Sequence, residues 1–198
     1  MSFAQDLRAS VLQAAMQGKL TGQLKTDTPV SELLNKMNIK PKFNEDGIVP
    51  DSWEWVEMQD IVTLEKGTKI ENKKLPYLEA RYLRTGNDAK MYTSGEFVAK
   101  GTNVILVDGE NSGEVFLVPE DGYMGSTFKV LSINKEMNKD FMLQILLFYK
   151  ETFRQSKKGS AIPHLNKKLF KEIMVAIPPI EEQKRIVRRI EEIKRSFP

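Results

Sequence analysis

The chain has 198 residues, 40% hydrophobic and 29% charged, with a formal net charge of +3, no cysteine and one histidine. Such a composition supports one sizeable core with a helical appendage, excludes disulfides and thiolate metal sites, and leaves too few ligands for a zinc centre. No run reaches the ~20 apolar residues of a membrane-spanning helix, and the N-terminus lacks the basic-then-apolar pattern of a secretory leader; the expectation is a cytoplasmic protein with no membrane partner.

Ser2 with Gln5 fits a capping box ahead of Phe3, Leu7, Val11, Ala14 and Ala15 at helical spacing, and Gly18 closes that helix. Thr28-Pro29 opens a second short helix running through Leu33, Leu34 and Met37. Residues 41–50, with Asn44, Asp46 and Gly47 between two prolines, read as a linker. The chain therefore divides into a helical segment 1–44, a body 45–178 and a terminal helix 179–198. From Trp53 to about Leu131, turn signals recur at short intervals around runs such as Val104–Val107 and Val115–Val118. That texture predicts a compact, curved, mostly antiparallel β-sheet. Trp53 and Trp55 read as core anchors. In the run Arg81-Tyr82-Leu83-Arg84, strand alternation places Tyr82 and Arg84 on one face and Arg81 and Leu83 on the other. Asp140 caps an apolar helix carrying Met142, Leu143, Ile145, Leu146, Phe148 and Tyr149. A polar loop at 157–160, a short helix over 166–172 and a final strand over 173–177 follow. The fold class is α+β, with no internal repeat.

At Pro178-Pro179 the chain switches from strand to amphipathic helix, because proline presets the helical φ and needs no donor at a helix start. Glu181 and Glu182 in the first turn, and Lys194 and Arg195 in the last, suit the helix dipole as solvated charges. Ile186, Ile190, Ile193 and Phe197 are spaced as the seam of a helix that packs along another, and Ile180 and Val187 widen the stripe. An uncovered seam of this kind needs a partner. Charge is uneven as well. Residues 150–171 hold seven basic side chains (Lys150, Arg154, Lys157, Lys158, Lys167, Lys168 and Lys171) against Glu151, a local +6 that leaves the remainder near −3. Phosphate contact would use such a stretch; a solvated lysine-rich helix and loop is the other reading.

The sequence Ile177-Pro178-Pro179-Ile180-Glu181-Glu182-Gln183-Lys184-Arg185-Ile186-Val187 resembles the junction between recognition domain and spacer helix in the DNA specificity subunits of type I restriction–modification enzymes. Pro50-Asp51-Ser52-Trp53-Glu54-Trp55 with Asp60-Ile61 to Lys66-Gly67, the run Asn103–Val107 with Gly109, Ser112 and Gly113, and Leu7-Arg8 to Gln17-Gly18-Lys19-Leu20 resemble other parts of those subunits. The resemblance implies a curved target recognition domain over 45–178 that binds double-stranded DNA. It also implies a conserved spacer helix over 179–198 and partnership with adenine-N6 methyltransferase (M) subunits and restriction (R) subunits. S-adenosylmethionine and the chemistry would belong to the methyltransferase subunit, leaving this chain without a cofactor. With one recognition domain where the family has two, the chain is about half a subunit, and the apolar seam then predicts a two-fold homodimer. A non-catalytic assembly protein that competes with or caps a full-length specificity subunit is the alternative.

DNA readout needs basic side chains on phosphates and polar side chains at base edges. Three regions supply both. Lys66-Gly67-Thr68-Lys69, continuing to Lys73 and Lys74, offers a glycine for close backbone approach beside four lysines. Arg81-Tyr82-Leu83-Arg84-Thr85-Gly86-Asn87 resembles a Tyr-Ile/Leu-Arg-Thr-Gly stretch of the family, with Arg84 as the foremost candidate for a bidentate guanine contact. Lys157-Lys158-Gly159-Ser160 with His164 resembles the loop before the family's last helix. Asn111, Ser112, Tyr123, Ser126 and Lys129 are further candidates, although Asn111 and Ser112 are also natural turn formers. No catalytic constellation is present: the glycines lack phosphate-loop spacing, the lone Pro-Pro lacks the asparagine and aromatic residue of an adenine methyltransferase loop, and His164 has no nucleophilic partner in its vicinity along the chain. His164 reads as a surface or structurally hydrogen-bonded side chain.

Overall fold

The computed structural model of the chain describes residues 3–45, 47–155 and 164–196. Lys157, Lys158, Ser160, Phe197 and the expected N-cap Ser2 lie outside the described residues. The elements in order are α1 (Phe3–Met16), α2 (Val30–Lys36), β1 (Glu54–Glu57), α3 (Met58–Ile61), β2 (Val62–Glu65), β3 (Thr68–Leu78), α4 (Ala80–Thr85), β4 (Met91–Val98), β5 (Asn103–Leu106), β6 (Val115–Leu117), β7 (Gly122–Met124), β8 (Phe128–Ile133), α5 (Lys139–Gln155), α6 (Lys167–Glu172), β9 (Met174–Ile177) and α7 (Ile180–Ser196). The class is α+β, as expected. The strands form three groups rather than one sheet: β1 with β9, the order β2-β8-β5-β6, and a closed ring of β3, β4 and β7. Every strand pair with a recorded register is antiparallel except β3 with β7. Compaction in space groups the chain differently from the contiguous segments 1–44, 45–178 and 179–198. One unit gathers residues 1–61, 133–149 and 171–198, and the other gathers 62–132 and 150–170.

In the first unit the chain reverses at Gly18, which has φ +67° and lies so close to Pro50 that a Cβ would sit 2.4 Å from its ring. Only glycine satisfies both demands. Beyond it, the hydroxyl of Thr21 (3.0 Å), the amide of Gln23 (2.8 Å) and the indole Nε1 of Trp53 (3.0 Å) all donate to the Glu182 carboxylate. Glu182 is fully buried in the first turn of α7. Three donors and the positive end of the helix compensate its lost hydration. The expectation that Glu181 and Glu182 are solvated is therefore corrected: Glu182 is an internal anchor, and Glu181 accepts from the backbone N–H and hydroxyl of Thr28 at 3.2 and 3.0 Å. Gln183, also buried, donates to the Pro178 carbonyl and accepts from the Asn138 N–H, both at 3.0 Å.

The terminal seam is not uncovered either. Ile186 and Ile190 are buried within this unit, where α1 contacts α7, while Ile180, Val187 and Ile193 are half-buried. Trp53 is buried as expected. Asn138 rather than Asp140 caps α5, its Oδ1 accepting the Phe141 N–H at 2.9 Å. Arg185 grips Asp27 with both Nη atoms, at 2.7 and 2.5 Å.

The second unit is organised round Leu78, Tyr82, Val98, Val104, Leu106, Phe116, Val118, Met124 and Phe128. Residues 81–84 are helical, which overturns the strand reading. Ala, Arg and Leu favour helix, and Gly86 ends α4 in the left-handed region at φ +70°. Four residues are too few to separate a period of 2 from one of 3.6. The helical period buries Tyr82 and turns Arg81, Arg84 and Thr85 to solvent, so Tyr82 and Arg84 do not share a face.

Two stability outcomes follow. Glu182→Ala should lose roughly 2–4 kcal/mol in urea denaturation, because buried donors lose their acceptor, while Glu182→Gln should lose clearly less. The Arg185 guanidinium, hydrogen-bonded to Asp27, holds that carboxyl below its ordinary value. A depressed folded-state pKa contributes stability that is fully present above the unfolded value, about 4, and is lost as pH falls through the folded one. Arg185→Ala should therefore flatten the fall in stability as pH drops below about 4, read as melting temperature against pH.

Candidate nucleic-acid interface

In the second unit β3 and β4 pair from Thr68 opposite Phe97 to Pro76 opposite Met91, with an irregularity between Glu71 and Leu75 that includes Asn72 at φ +63°. The outer part of this pair is exposed: Thr68, Lys69, Glu71 through Lys74 and Met91 through Ser94. Lys66, Lys69 and Lys74 project from it with no carboxylate of the described residues within ion-pair reach. Lys73 is engaged, at 3.9 Å from Asp121 and 5.6 Å from the centroid of the Phe97 ring. Gly67 serves strand packing rather than ligand approach, since a Cβ there would lie 2.7 Å from the Phe97 carbonyl oxygen. Tyr123 supports the pair from beneath. It is buried, donates its hydroxyl to the Lys73 carbonyl at 2.6 Å, and presses its ring against Gly95. It is a supporting side chain and offers no exposed ring.

Arg84, Asn111 and His164 converge on one loop, residues 108–114. Gly109 at φ +103° and Gly113 at φ +93° give it its course. The backbone N–H groups of Ser112, Glu114 and Gly113 donate to the carbonyls of Gly109 (3.0 Å), Asn111 (3.0 Å) and Leu106 (2.7 Å). Asn111 is exposed at the tip; Ser112 is fully buried, which leaves Asn111 as the presentable member of the pair. Three outside side chains reach this loop. Arg84 donates to Glu114 through Nε at 3.3 Å and through Nη2. His164 Nδ1 lies 2.6 Å from Asp108 Oδ1, and Arg154 donates to the Glu110 carbonyl at 3.2 Å. His164 is thus structurally hydrogen-bonded, as its sequence setting suggested.

Glu114, by hydrogen bond and charge, raises the already high pKa of Arg84. Tyr82 contacts Glu120 through its hydroxyl, whose pKa is raised first by that bond and then by burial. Arg81 pairs with Asp88 at 3.3 Å, both exposed. Thr85, Asn87 and Ser126 are exposed, and Lys129 is half-buried. The structure brings Arg84, Asn111 and His164 to one loop and leaves Lys66, Lys69, Lys73 and Lys74 as a separate basic rim; Tyr82, Ser112 and Tyr123 belong to the interior. Lys157, Lys158 and Ser160 lie outside the described residues. The sequence reading missed Glu114, Asp108 and Glu110. Their signal was three acids within the seven residues 108–114, of which Asp108 and Glu114 pair with the histidine and arginine candidates. No group of three or more His, Asp or Glu that could hold a metal ion occurs among the described residues, and none of their helices is long and apolar enough to cross a membrane.

Residues 50–197 match the family model described as the type I restriction modification DNA specificity domain. The chain is 36% identical over 151 residues to the type I restriction enzyme MjaVIII specificity subunit of Methanocaldococcus jannaschii, covering 71% of this chain and 35% of that protein. A chain from a structure on complex assembly and conformational transition of the type I R-M system aligns over 98% of this one and 47% of its own length, with TM-score 0.60 and 17% identity. The HsdS subunit of Thermoanaerobacter tengcongensis aligns over the same shares with TM-score 0.58 and 15% identity, a likeness of fold. The chain thus spans less than half the length of these relatives. With its matched model covering the strands, the loop 108–114 and the terminal helix alike, the chain belongs to the type I restriction modification DNA specificity domain family.

Proposed function

We propose that this chain is the sequence-reading component of a type I restriction–modification complex, recognising one half of an interrupted DNA target and positioning adenine-N6 methyltransferase subunits over it. The observation that carries this reading is the second unit's division of labour. Lys66, Lys69 and Lys74 stand exposed on the β2–β3 turn and on β3, without a counterion among the described residues, as phosphate contacts require. Arg84 and Asn111 stand exposed beside a braced loop, as base-edge readers require. In this reading the chain contributes sequence choice, and the partner binds S-adenosylmethionine and methylates an adenine turned out of the stack. The restriction subunits would act on the same assembly.

In this reading each copy reads one half-site and a second copy supplies the other. In that homodimer Ile186 and Ile190, already buried within the chain, do not form the contact; Ile180, Val187 and Ile193 retain partly exposed apolar surface for it.

N6-methyladenine mapping in methylation-free cells expressing the chain with its cognate methyltransferase subunit tests the proposal. A single interrupted palindrome is expected. An asymmetric interrupted motif would overturn the homodimer and keep the reader, and no motif despite active methyltransferase and folded chain would sink the reader. Alanine at Lys66, Lys69 and Lys74 should weaken binding to matched and unmatched DNA alike. Each lost phosphate contact should lower the slope of log affinity against log salt by about 0.9, measured by fluorescence anisotropy on the assembled complex.

A further inference from the structure

Arg84 stands in the last turn of α4, two residues before Gly86 reverses the chain. Its guanidinium meets the Glu114 carboxylate side-on: Nε–H to Oε1 at 3.3 Å and Nη2–H to Oε2. Below it the Phe116 ring centroid lies 5.6 Å from Cζ, a cation–π distance. The acid and the ring are themselves fixed. Glu114 has its N–H on the Asn111 carbonyl and its own carbonyl on the Leu106 N–H, at 3.0 and 2.8 Å. Phe116 is buried and packs edge-on against Phe128, with centroids 5.8 Å apart. A long side chain has thus been deprived of most of its rotamer freedom, at an entropic cost that an ordinary surface arginine does not bear.

A guanidinium has five N–H donors in a planar fork. The side-on pair consumes Nε–H and one Nη2–H, leaving the end-on edge (one N–H from each Nη) open. That edge matches two acceptors lying side by side in a plane, the pattern presented in the major groove by guanine O6 and N7. Phosphates are served by exposed point charges, such as Lys66, Lys69 and Lys74; a fixed plane adds selectivity that a phosphate does not use.

We propose that Glu114 and Phe116 are positioning residues that hold Arg84 as a guanine-reading side chain, so that one G·C pair of the target is specified through this braced arginine. The inference rests on the DNA-reading proposal above and adds to it a residue-to-base assignment. Asn111, whose carbonyl holds the Glu114 N–H, couples the loop tip to the same brace.

The test is the same methylation mapping on the assembled complex, applied to variants. Arg84→Ala should keep methylation but relax one guanine position, with discrimination there falling about ten- to hundredfold. Glu114→Ala should relax the same position and no other, Glu114→Gln should relax it less, and the double variant should be no broader than Arg84→Ala alone. An unchanged motif in Arg84→Ala, or a fall at all positions in equal measure in a variant that circular dichroism shows folded, overturns the assignment and returns Arg84 to a structural or phosphate role. If Arg84→Ala does not fold, the near-isosteric Glu114→Gln decides by the same readout. A wild-type chain without any motif would count against the DNA reading itself, so the two failures are distinguishable.

Discussion

A carboxylate taken out of water must be given donors, and Glu182 obtains them from residues remote in sequence. Thr21 and Gln23 lie 161 and 159 residues before it and Trp53 lies 129 before it. Because the acceptor is unsatisfied without them, the segment after Gly18 and the indole of Trp53 are drawn to the first turn of α7. The supports on either side follow the same logic: Thr28 on Glu181, Asp27 on Arg185, and the Asn138 N–H on Gln183. The unit is built by compensating polar groups on one helix start as much as by its apolar stripe, and Ile186 and Ile190 are covered as a result.

The second unit solves a related problem at its surface. A side chain that discriminates must be exposed and yet stay still. Exposure without bracing describes Lys69 and Lys74 on β3; bracing without exposure describes Tyr82 and Tyr123, whose hydroxyls meet Glu120 and the Lys73 carbonyl. Arg84 has both properties, because its counterion sits on a loop whose backbone is closed by its own hydrogen bonds. On the reading proposed above, the charge of that loop serves recognition, since Glu114 and Asp108 hold Arg84 and His164 in place.

What was legible in the residues was what depends on near neighbours. Gly18 ends the first helix, Pro178-Pro179 starts the last one, and the apolar helix and final strand fall where periodicity puts them. The junction motif also pointed to the family that residues 50–197 match. What depends on distant partners was not legible. Nothing within Ile180–Phe197 tells a solvated glutamate from a buried one, and the same holds for whether an isoleucine seam faces its own chain or another. Arg81–Arg84 failed for a different reason, since a run of four carries no usable period and only the core around Tyr82 decides it. Gly67 was read for ligand approach, whereas the Phe97 carbonyl explains it. The candidate site offers its cations directly in the sequence, whereas the pairing of Glu114 with Arg84 and of Asp108 with His164 spans 30 and 56 residues and has no local signal.

The interleaving of the two units also sets an order of events during synthesis. The second unit's segments are complete by residue 170, so they leave the ribosome ahead of α7. The first unit's earliest segment must wait: Thr21 and Trp53 lack their carboxylate acceptor, and Gln23 one of its three acceptors, until Glu182 has left the ribosome. Contacts across so much chain close slowly, and until they close α1 and α2 present their apolar faces to the cell. The helix that carries the family's junction motif is thus also the latch that ends the nascent chain's period of vulnerability.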